Sequence, residues 1–123
     1  MQPNHRPFQF RGWIIVSRVW TWLFSAGRAS GVVIFPFIFL MENRLLERPA
    51  FVNHERIHIA QMLETGVVLF YLIYLAEFCW HYARQRDFDK AYRRISFERE
   101  AYEREGDLTY LDHRPFWAFW AYR

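Results

Sequence analysis

The segment His54-Glu55-Arg56-Ile57-His58 has the pattern H-E-x-x-H, in which two histidines are four residues apart and an acid follows the first. On an α-helix, residues four apart differ by about 40° in direction, so both imidazoles project from one face and can bind the same metal ion. The Glu55 carboxylate lies at the edge of that face. The pattern therefore predicts a zinc site in which Glu55 acts as general base on a zinc-activated water.

The residues around this motif predict that it lies on a helix. Pro49 is suited to the first helical position, where its missing N–H has no partner to lose. One inward face is marked by residues at spacings of 4, 3 and 4, namely Phe51, Glu55, His58 and Met62. The alternative interpretation is an ordinary helix with two histidines that bind no metal.

The composition limits the classes of protein to consider. A chain of 123 residues has room for a single domain, residues 1–123. The net charge is +3, but basic and acidic residues alternate after residue 84, so we expect no nucleic-acid partner. The single cysteine, Cys79, has no disulfide partner within the chain, which suits a reducing compartment and predicts a cytoplasmic protein.

The first part of the chain is predicted to hold a flexible segment and an amphipathic helix. Residues 1–11, with Pro3 and Pro7, should be flexible. Residues 13–24 place apolar side chains at spacings of 3, 4 and 3, which predicts an amphipathic helix. This helix would pack on the core or lie in a membrane interface with its tryptophans among the headgroups.

Residues 32–40 form an apolar run that is rich in β-branched and aromatic side chains, which predicts a strand. Pro36 removes one backbone donor and so favours an edge strand or a bulge over a central strand. The predicted fold has one short edge strand or hairpin. An edge strand shortly before a zinc helix is suited to hold an extended peptide substrate by strand addition. An apolar helix kinked at Pro36 is the alternative.

Two further helices are predicted after the motif. Gly66 marks a break, and residues 67–76 are apolar on every side, which predicts a buried core helix, with a membrane span as the alternative. In residues 87–105 the spacings 3, 4, 3 and 4 predict a helix that Gly106 ends, and Ser96 could cap a fresh helix within it. Residues 110–123 form an aromatic tail with a short docked helix.

Four acids compete for the third metal ligand, because a catalytic zinc ion usually takes three protein ligands. Glu64 lies six residues after His58, about 240° around an unbroken helix, and should point away. Glu77 is a candidate for a hydrogen bond to a ligand histidine or only marks the end of its helix. Glu98 and Glu100 differ by about 200°, so only one can face the metal, and the apolar face favours Glu98.

The motif and the later segment Glu98-Arg99-Glu100-Ala101-Tyr102 together resemble the gluzincin metallopeptidases, in particular the CAAX-protease and HtpX-like group, whose second helix carries E-x-x-A-D. The resemblance covers roughly residues 31–105 and implies that Glu98 binds zinc and that Ala101 is the family's small residue. Tyr102 stands where the family has Asp. The chain also resembles small bacterial H-E-x-x-H proteins of uncharacterised function.

These observations predict a mainly α (α+β) fold, a small zincin-like helical domain that binds one zinc ion. The predicted function is that of a minimal metallopeptidase acting on peptides or proteins, with Glu55 as the catalytic base. Candidates for stabilising the oxyanion of the transition state are Tyr102, Tyr92, His81 and His113. The alternative is a non-catalytic, metal-stabilised module for interaction with a partner or a membrane surface.

Overall fold

The computed structural model describes residues 10–123 and is mainly helical with a small three-stranded sheet, which confirms the predicted α+β class. Most of the segment predicted to be flexible, residues 1–9, lies outside the described residues. The strands are β1 (Trp13–Val16), β2 (Gly31–Ile34) and β3 (Phe37–Leu40), and the helices are α1 (Arg18–Ser25), α2 (Pro49–Thr65), α3 (Val67–Gln85), α4 (Phe88–Arg94), α5 (Ser96–Arg104) and α6 (Tyr110–His113). Two 3₁₀ helices cover Asn43–Glu47 and Ala118–Tyr122.

The sheet has the strand order β1-β3-β2, with β1 parallel and β2 antiparallel to β3. Residues 32–40 therefore form a hairpin and not a single strand. The alternative prediction of a kinked helix is wrong. Pro36 lies in the turn between β2 and β3, where its missing N–H costs no hydrogen bond of the sheet. The predicted edge position belongs to β2, because β3 is central.

The prediction of a helix over residues 13–24 is wrong for its first residues, because Trp13–Val16 form β1. The β-branched residues Ile14, Ile15 and Val16 pair with β3, a partner that the local spacing of the sequence cannot reveal. The helix begins one residue after Ser17, whose hydroxyl accepts a hydrogen bond from the Trp20 N–H at 3.2 Å. Only the second half of the predicted amphipathic helix, α1, is helical.

Helix α2 begins at Pro49 as predicted and runs to Thr65. Gly66 then adopts φ = 87°, a value that favours glycine, and α3 leaves at an angle of 111° to α2. Helix α2 is buried over most of its surface, because the sheet, α3 and α5 pack around it. The motif thus lies on the central helix of the fold.

The prediction of a buried core helix at residues 67–76 is wrong. Phe70 is the only buried residue of α3, whereas Val68, Leu72 and Leu75 are 73%, 59% and 60% exposed. Within residues 10–123, no single helix has both the length and the apolar character needed to cross a membrane. Helices α2 and α3 meet those requirements only as a bent pair.

The helix predicted for residues 87–105 is broken at Ile95 (φ = −59°, ψ = 133°) into α4 and α5. Glu77 of α3 accepts hydrogen bonds from the N–H and the hydroxyl of Ser96, each at 2.7 Å, and so caps α5. Glu77 therefore supports a helix start and not a ligand histidine. Helix α5 ends at Arg104, and Gly106 does not take the left-handed conformation of a capping glycine.

The aromatic tail contains the predicted short docked helix, which is the 3₁₀ helix Ala118–Tyr122. Phe119 is 1% exposed and its ring packs on Phe97, with centroids 4.5 Å apart. The Trp117 N–H donates to Glu64 at 2.8 Å, which holds the tail against the end of α2. The tail thereby closes the core beneath α5.

We expect Glu77→Ala to lower the free energy of unfolding by about 1–3 kcal/mol, because two donors of the buried Ser96 lose their acceptor. Urea denaturation measures the change. Glu103→Ala, a matched substitution at an exposed acid of α5, should change stability by less than about 0.5 kcal/mol. Equal effects of the two substitutions would contradict this role of Glu77.

Candidate metal centre

The structure brings together the three residues predicted to bind metal. His54 and His58 lie one turn apart on α2, and Glu98 lies in the first turn of α5. Glu98 Oε1 is 3.1 Å from His54 Nε2 and 3.2 Å from His58 Nε2, and the ligand atoms all lie within 4.8 Å of one another. This buried group could hold a metal ion.

The spacing of these atoms suits a tetrahedral ion. Metal–ligand bonds of about 2.0–2.1 Å at tetrahedral angles place neighbouring ligand atoms about 3.3 Å apart. The two distances from Glu98 Oε1 to the imidazoles, 3.1 and 3.2 Å, are close to that value.

The hydrogen bonds of Gln61 fix the orientation of the His58 ring. The Gln61 Nε2 group donates to the Phe97 carbonyl and to Glu100 Oε1, both at 3.0 Å, so the amide oxygen must be the atom that faces His58. That oxygen lies 2.8 Å from His58 Nδ1 and accepts a hydrogen bond from the Nδ1–H group. The Nε2 atom, on the other side of the ring, is thereby directed at Glu98 as a ligand atom.

Glu105 orients His54 in the same way. Its Oε1 lies 2.8 Å from His54 Nδ1, and a carboxylate can only accept, so the Nδ1 proton points to Glu105 and Nε2 points to Glu98. Asn53 holds the end of α5 in place, because its side-chain amide donates to the carbonyls of Glu105 and Asp107 at 2.9 and 3.0 Å. A carboxylate therefore does support a ligand histidine here, and it comes from Glu105.

Tyr102, which stands where the resembled family has Asp, packs its ring edge-to-face against His54 with centroids 4.5 Å apart. The hydroxyl group that reaches the ligand set is that of Tyr74 on α3, which donates to Glu98 Oε2 at 2.7 Å. Burial and the neighbouring Glu98 carboxylate raise the pKa of Tyr74 far above its usual value, so it stays a donor. Tyr74 leaves Glu98 Oε1 as the carboxylate atom that faces both histidines.

The three ligand candidates form a coupled group of charges. Burial alone would raise the pKa of Glu98, but the charges and hydrogen bonds of His58 and His54 hold that pKa well below its usual range. Burial alone would lower the pKa of His58, but the charge and hydrogen bond of Glu98 raise it to about 9. A proton and a metal ion thus compete for the same nitrogen.

Glu55 has the properties of a free carboxylate beside this group. Within residues 10–123 its oxygens accept no hydrogen bond, although the residue is only 7% exposed. Burial raises the pKa of Glu55, and the charges of His58 and His54 act against that shift. Glycine is needed at position 31 of β2, because a Cβ there would lie 2.7 Å from the Phe51 ring and 3.2 Å from Glu55 Oε1.

The competing acids are engaged elsewhere. Arg114 is a buried residue of the tail. It pairs with Glu64 at 2.8 Å and with both carboxylate oxygens of Glu100. The Tyr110 hydroxyl also donates to Glu100, at 2.7 Å. Glu64 and Glu100 therefore anchor the tail, and Glu98 is the acid that faces the histidines, as the apolar face of the sequence predicts.

The candidates for stabilising an oxyanion lie at different distances from the group. Tyr102 contacts His54, and the Tyr92 ring lies 6.4 Å from the Tyr102 ring. His113 is exposed and pairs with Asp107, and the described contacts bring neither His113 nor His81 to the ligand set. The predicted roles of Tyr102 and Tyr92 stay predictions.

Three residues of the centre were not predicted from the sequence: Gln61, Glu105 and Tyr74. The signal for two of them was present as helical spacing. Gln61 is three residues after His58, and Glu105 is seven after Glu98, two turns along the same helix face. Tyr74 comes from a helix whose orientation only the fold determines.

Comparisons with known proteins add no family to this description. No profile of a known protein family, no curated protein and no solved structure matches this chain. The resemblance to gluzincin metallopeptidases therefore stays a prediction from the residues quoted for it.

We expect Glu105→Ala to weaken the affinity for a divalent metal ion about 10–100-fold, because His54 loses the group that sets its proton and orientation. Competition with a coloured chelator measures the affinity. Glu103→Ala removes an acid two residues away that is exposed, and should leave the affinity unchanged. A Glu105→Ala protein that binds metal like the wild type would contradict this role.

Proposed function

We propose that this protein is a zinc-dependent hydrolase, a minimal metallopeptidase with one zinc ion held by His54, His58 and Glu98. The observation that carries the proposal is the approach of one Glu98 oxygen to the Nε2 atoms of both histidines. Two imidazoles and one carboxylate are the zinc ligands of thermolysin-type peptidases. The Nδ1–H groups of His54 and His58 donate to Glu105 and Gln61, respectively. This leaves the Nε2 atom of each ring as the nitrogen that favours a metal ion.

A zinc ion in such a site supplies Lewis acidity and lowers the pKa of a bound water. The protein's own contribution is the Glu55 carboxylate, which follows a ligand on the same helix and accepts no other proton within the described residues. Glu55 would take the proton of the attacking water and then give it to the leaving amine.

Strand β2 is the part of the sheet where a peptide substrate would pair, because it is an edge strand next to Glu55. Met41 N–H donates to the Ser30 carbonyl, so in the alternating pattern of an antiparallel pair the backbone groups of Gly31 point away from β3. Gly31 also lies against Glu55. Gly31 is buried, and the next outward carbonyl of β2, that of Val33, accepts a hydrogen bond from the Tyr71 hydroxyl at 3.1 Å. An extended peptide would therefore pair with β2 at Gly31, beside the proposed general base, only when this edge opens.

We expect one zinc ion per chain in protein prepared without chelators, and we expect it to be lost in His54→Ala, His58→Ala and Glu98→Ala. Each substitution removes one of three ligands and leaves an incomplete shell. Elemental analysis of the purified proteins gives the content. His81→Ala and His113→Ala are matched controls that should keep the metal, and a wild type without transition metal would contradict the proposal.

The substitution Glu55→Gln should keep the zinc ion but lower hydrolysis about 10²–10⁴-fold, because the amide preserves the ligands and cannot accept the proton. The assay is cleavage of a peptide library or of an unfolded protein, with metal-free wild type as the control. Metal content of the variant is measured on the same preparation. Undiminished cleavage by Glu55→Gln would exclude Glu55 as the base.

The burial of the ligand set favours a second candidate, a non-catalytic module that the metal stabilises. His54, His58 and Glu98 are only 6%, 6% and 3% exposed, whereas a catalytic metal needs an open position for water and substrate. The two candidates differ in the experiments above. Wild type that cleaves nothing beyond the metal-free control, and that unfolds when the metal is removed, would establish the module and exclude the hydrolase.

A further inference from the structure

The outward side of α3 is apolar along most of its length. Every exposed residue of this helix from Val67 to Ala83 is uncharged. We call this surface the outer face of α3, and its exposed members are Val68, Leu69, Tyr71, Leu72, Leu75, Ala76, Cys79, Trp80, Tyr82 and Ala83. A single exposed leucine is ordinary on a protein surface, but a continuous apolar face over four turns marks a surface that another phase or molecule covers.

The polar residues of α3 that precede Arg84 lie on the opposite side of the helix. Glu77 is half-buried and caps α5 through Ser96, and Tyr74 donates to Glu98. His81 is half-buried as well. A surface helix in water normally turns its charges outward, so α3 has the reverse arrangement of a helix that faces solvent.

The order of residue types along this face identifies the chemistry of its partner. The first three turns expose aliphatic residues and Tyr71, whose hydroxyl donates to the Val33 carbonyl at 3.1 Å. Trp80 and Tyr82 follow, and the exposed Arg84 and Arg86 come last. The Arg84 guanidinium lies 5.4 Å from the centre of the Trp80 ring. Hydrocarbon, aromatic ring and arginine succeed one another in this order where a helix meets the acyl chains, the interface and the phosphates of a bilayer.

Two other elements repeat this composition. Helix α1 exposes Val19, Trp20, Trp22 and Leu23 and begins at the exposed Arg18. In the tail, Phe116 and Trp120 are exposed, and the Arg123 guanidinium lies 4.2 Å from the Trp120 ring. The combination of exposed aromatic rings and arginine therefore recurs outside α3.

We propose that the outer face of α3 binds the surface of a bilayer that contains anionic lipid. The aliphatic and aromatic side chains enter the boundary between headgroups and acyl chains, and Arg84 and Arg86 contact the phosphates. The net charge of +3 has the sign that this attraction needs. The proposal does not depend on the metal site, because none of these side chains belongs to it.

The first test measures binding to vesicles of phosphatidylethanolamine with phosphatidylglycerol, and to vesicles of phosphatidylcholine alone, by co-sedimentation of the full chain. We expect stronger binding to the anionic vesicles, and weaker binding as salt is added. The double variant Leu72→Asn with Leu75→Asn should bind at least about tenfold more weakly, because two exposed leucines no longer enter the apolar layer. The matched control, Leu46→Asn with Leu108→Asn, changes two exposed leucines outside α3 and should bind like the wild type.

The second test uses Cys79, which lies on the outer face of α3 and is the single cysteine of the chain. A fluorophore attached there should be quenched by lipids that carry bromine on their acyl chains. The control moves the label off α3 by combining Cys79→Ser with Leu108→Cys, and this label should not be quenched. The readout does not require an activity or a metal ion.

Three outcomes would overturn the proposal. The first is a wild type that stays unbound with both kinds of vesicle. The second is equal binding to anionic and zwitterionic vesicles, which would exclude the role of the arginines. The third is association of the chain with itself in the absence of lipid that protects Cys79 from labelling, which would assign the face to a second copy.

Discussion

The hydrogen bonds of the Gln61 side chain are the constraint on which the rest of the site depends. They join α2 to α5 inside the core, since the amide nitrogen binds the Phe97 carbonyl and Glu100 while the oxygen binds His58. Because Gln61 is fully buried, each of these bonds must form for the two helices to pack without a desolvated polar group. The same bonds therefore set the register of α5 against α2 and the proton of a ligand histidine.

Three acids, two on helix α5 and one in the residue that follows its end, lie in three different environments. Glu98 faces the two histidines, Glu100 faces Arg114, and Glu105 supports His54 from the end of the helix. The break at Ile95 makes this division possible, because it starts α5 at Ser96 and turns its first residues toward α2. A single short helix and the residue that follows it thus supply the carboxylate of the metal group, the anchor of the tail and the orientation of one ligand.

Helix α3 packs on the core with one side and is exposed on the other. Its inner side contributes Phe70 to the core, Tyr74 to Glu98 and the cap of α5 through Glu77. Its outer side exposes aliphatic and aromatic side chains at the surface of the protein. The proposed membrane contact and the proposed metal centre therefore share one rigid element but no side chain, so each can be removed by substitution without the other.

The sequence by itself determined what local spacing encodes: the start of α2 at Pro49, the shared face of His54 and His58, and Glu98 as the acid on the apolar face. These are properties of one helix turn, and they hold wherever the helix lies in the fold. Only the tertiary structure decided the pairing of β1 with β3, because a strand is stabilised by a partner that is distant in sequence. It also decided the support of His54 by Glu105 and the exposure of α3, because a helix that is apolar on every side has no periodicity to show which side faces the core.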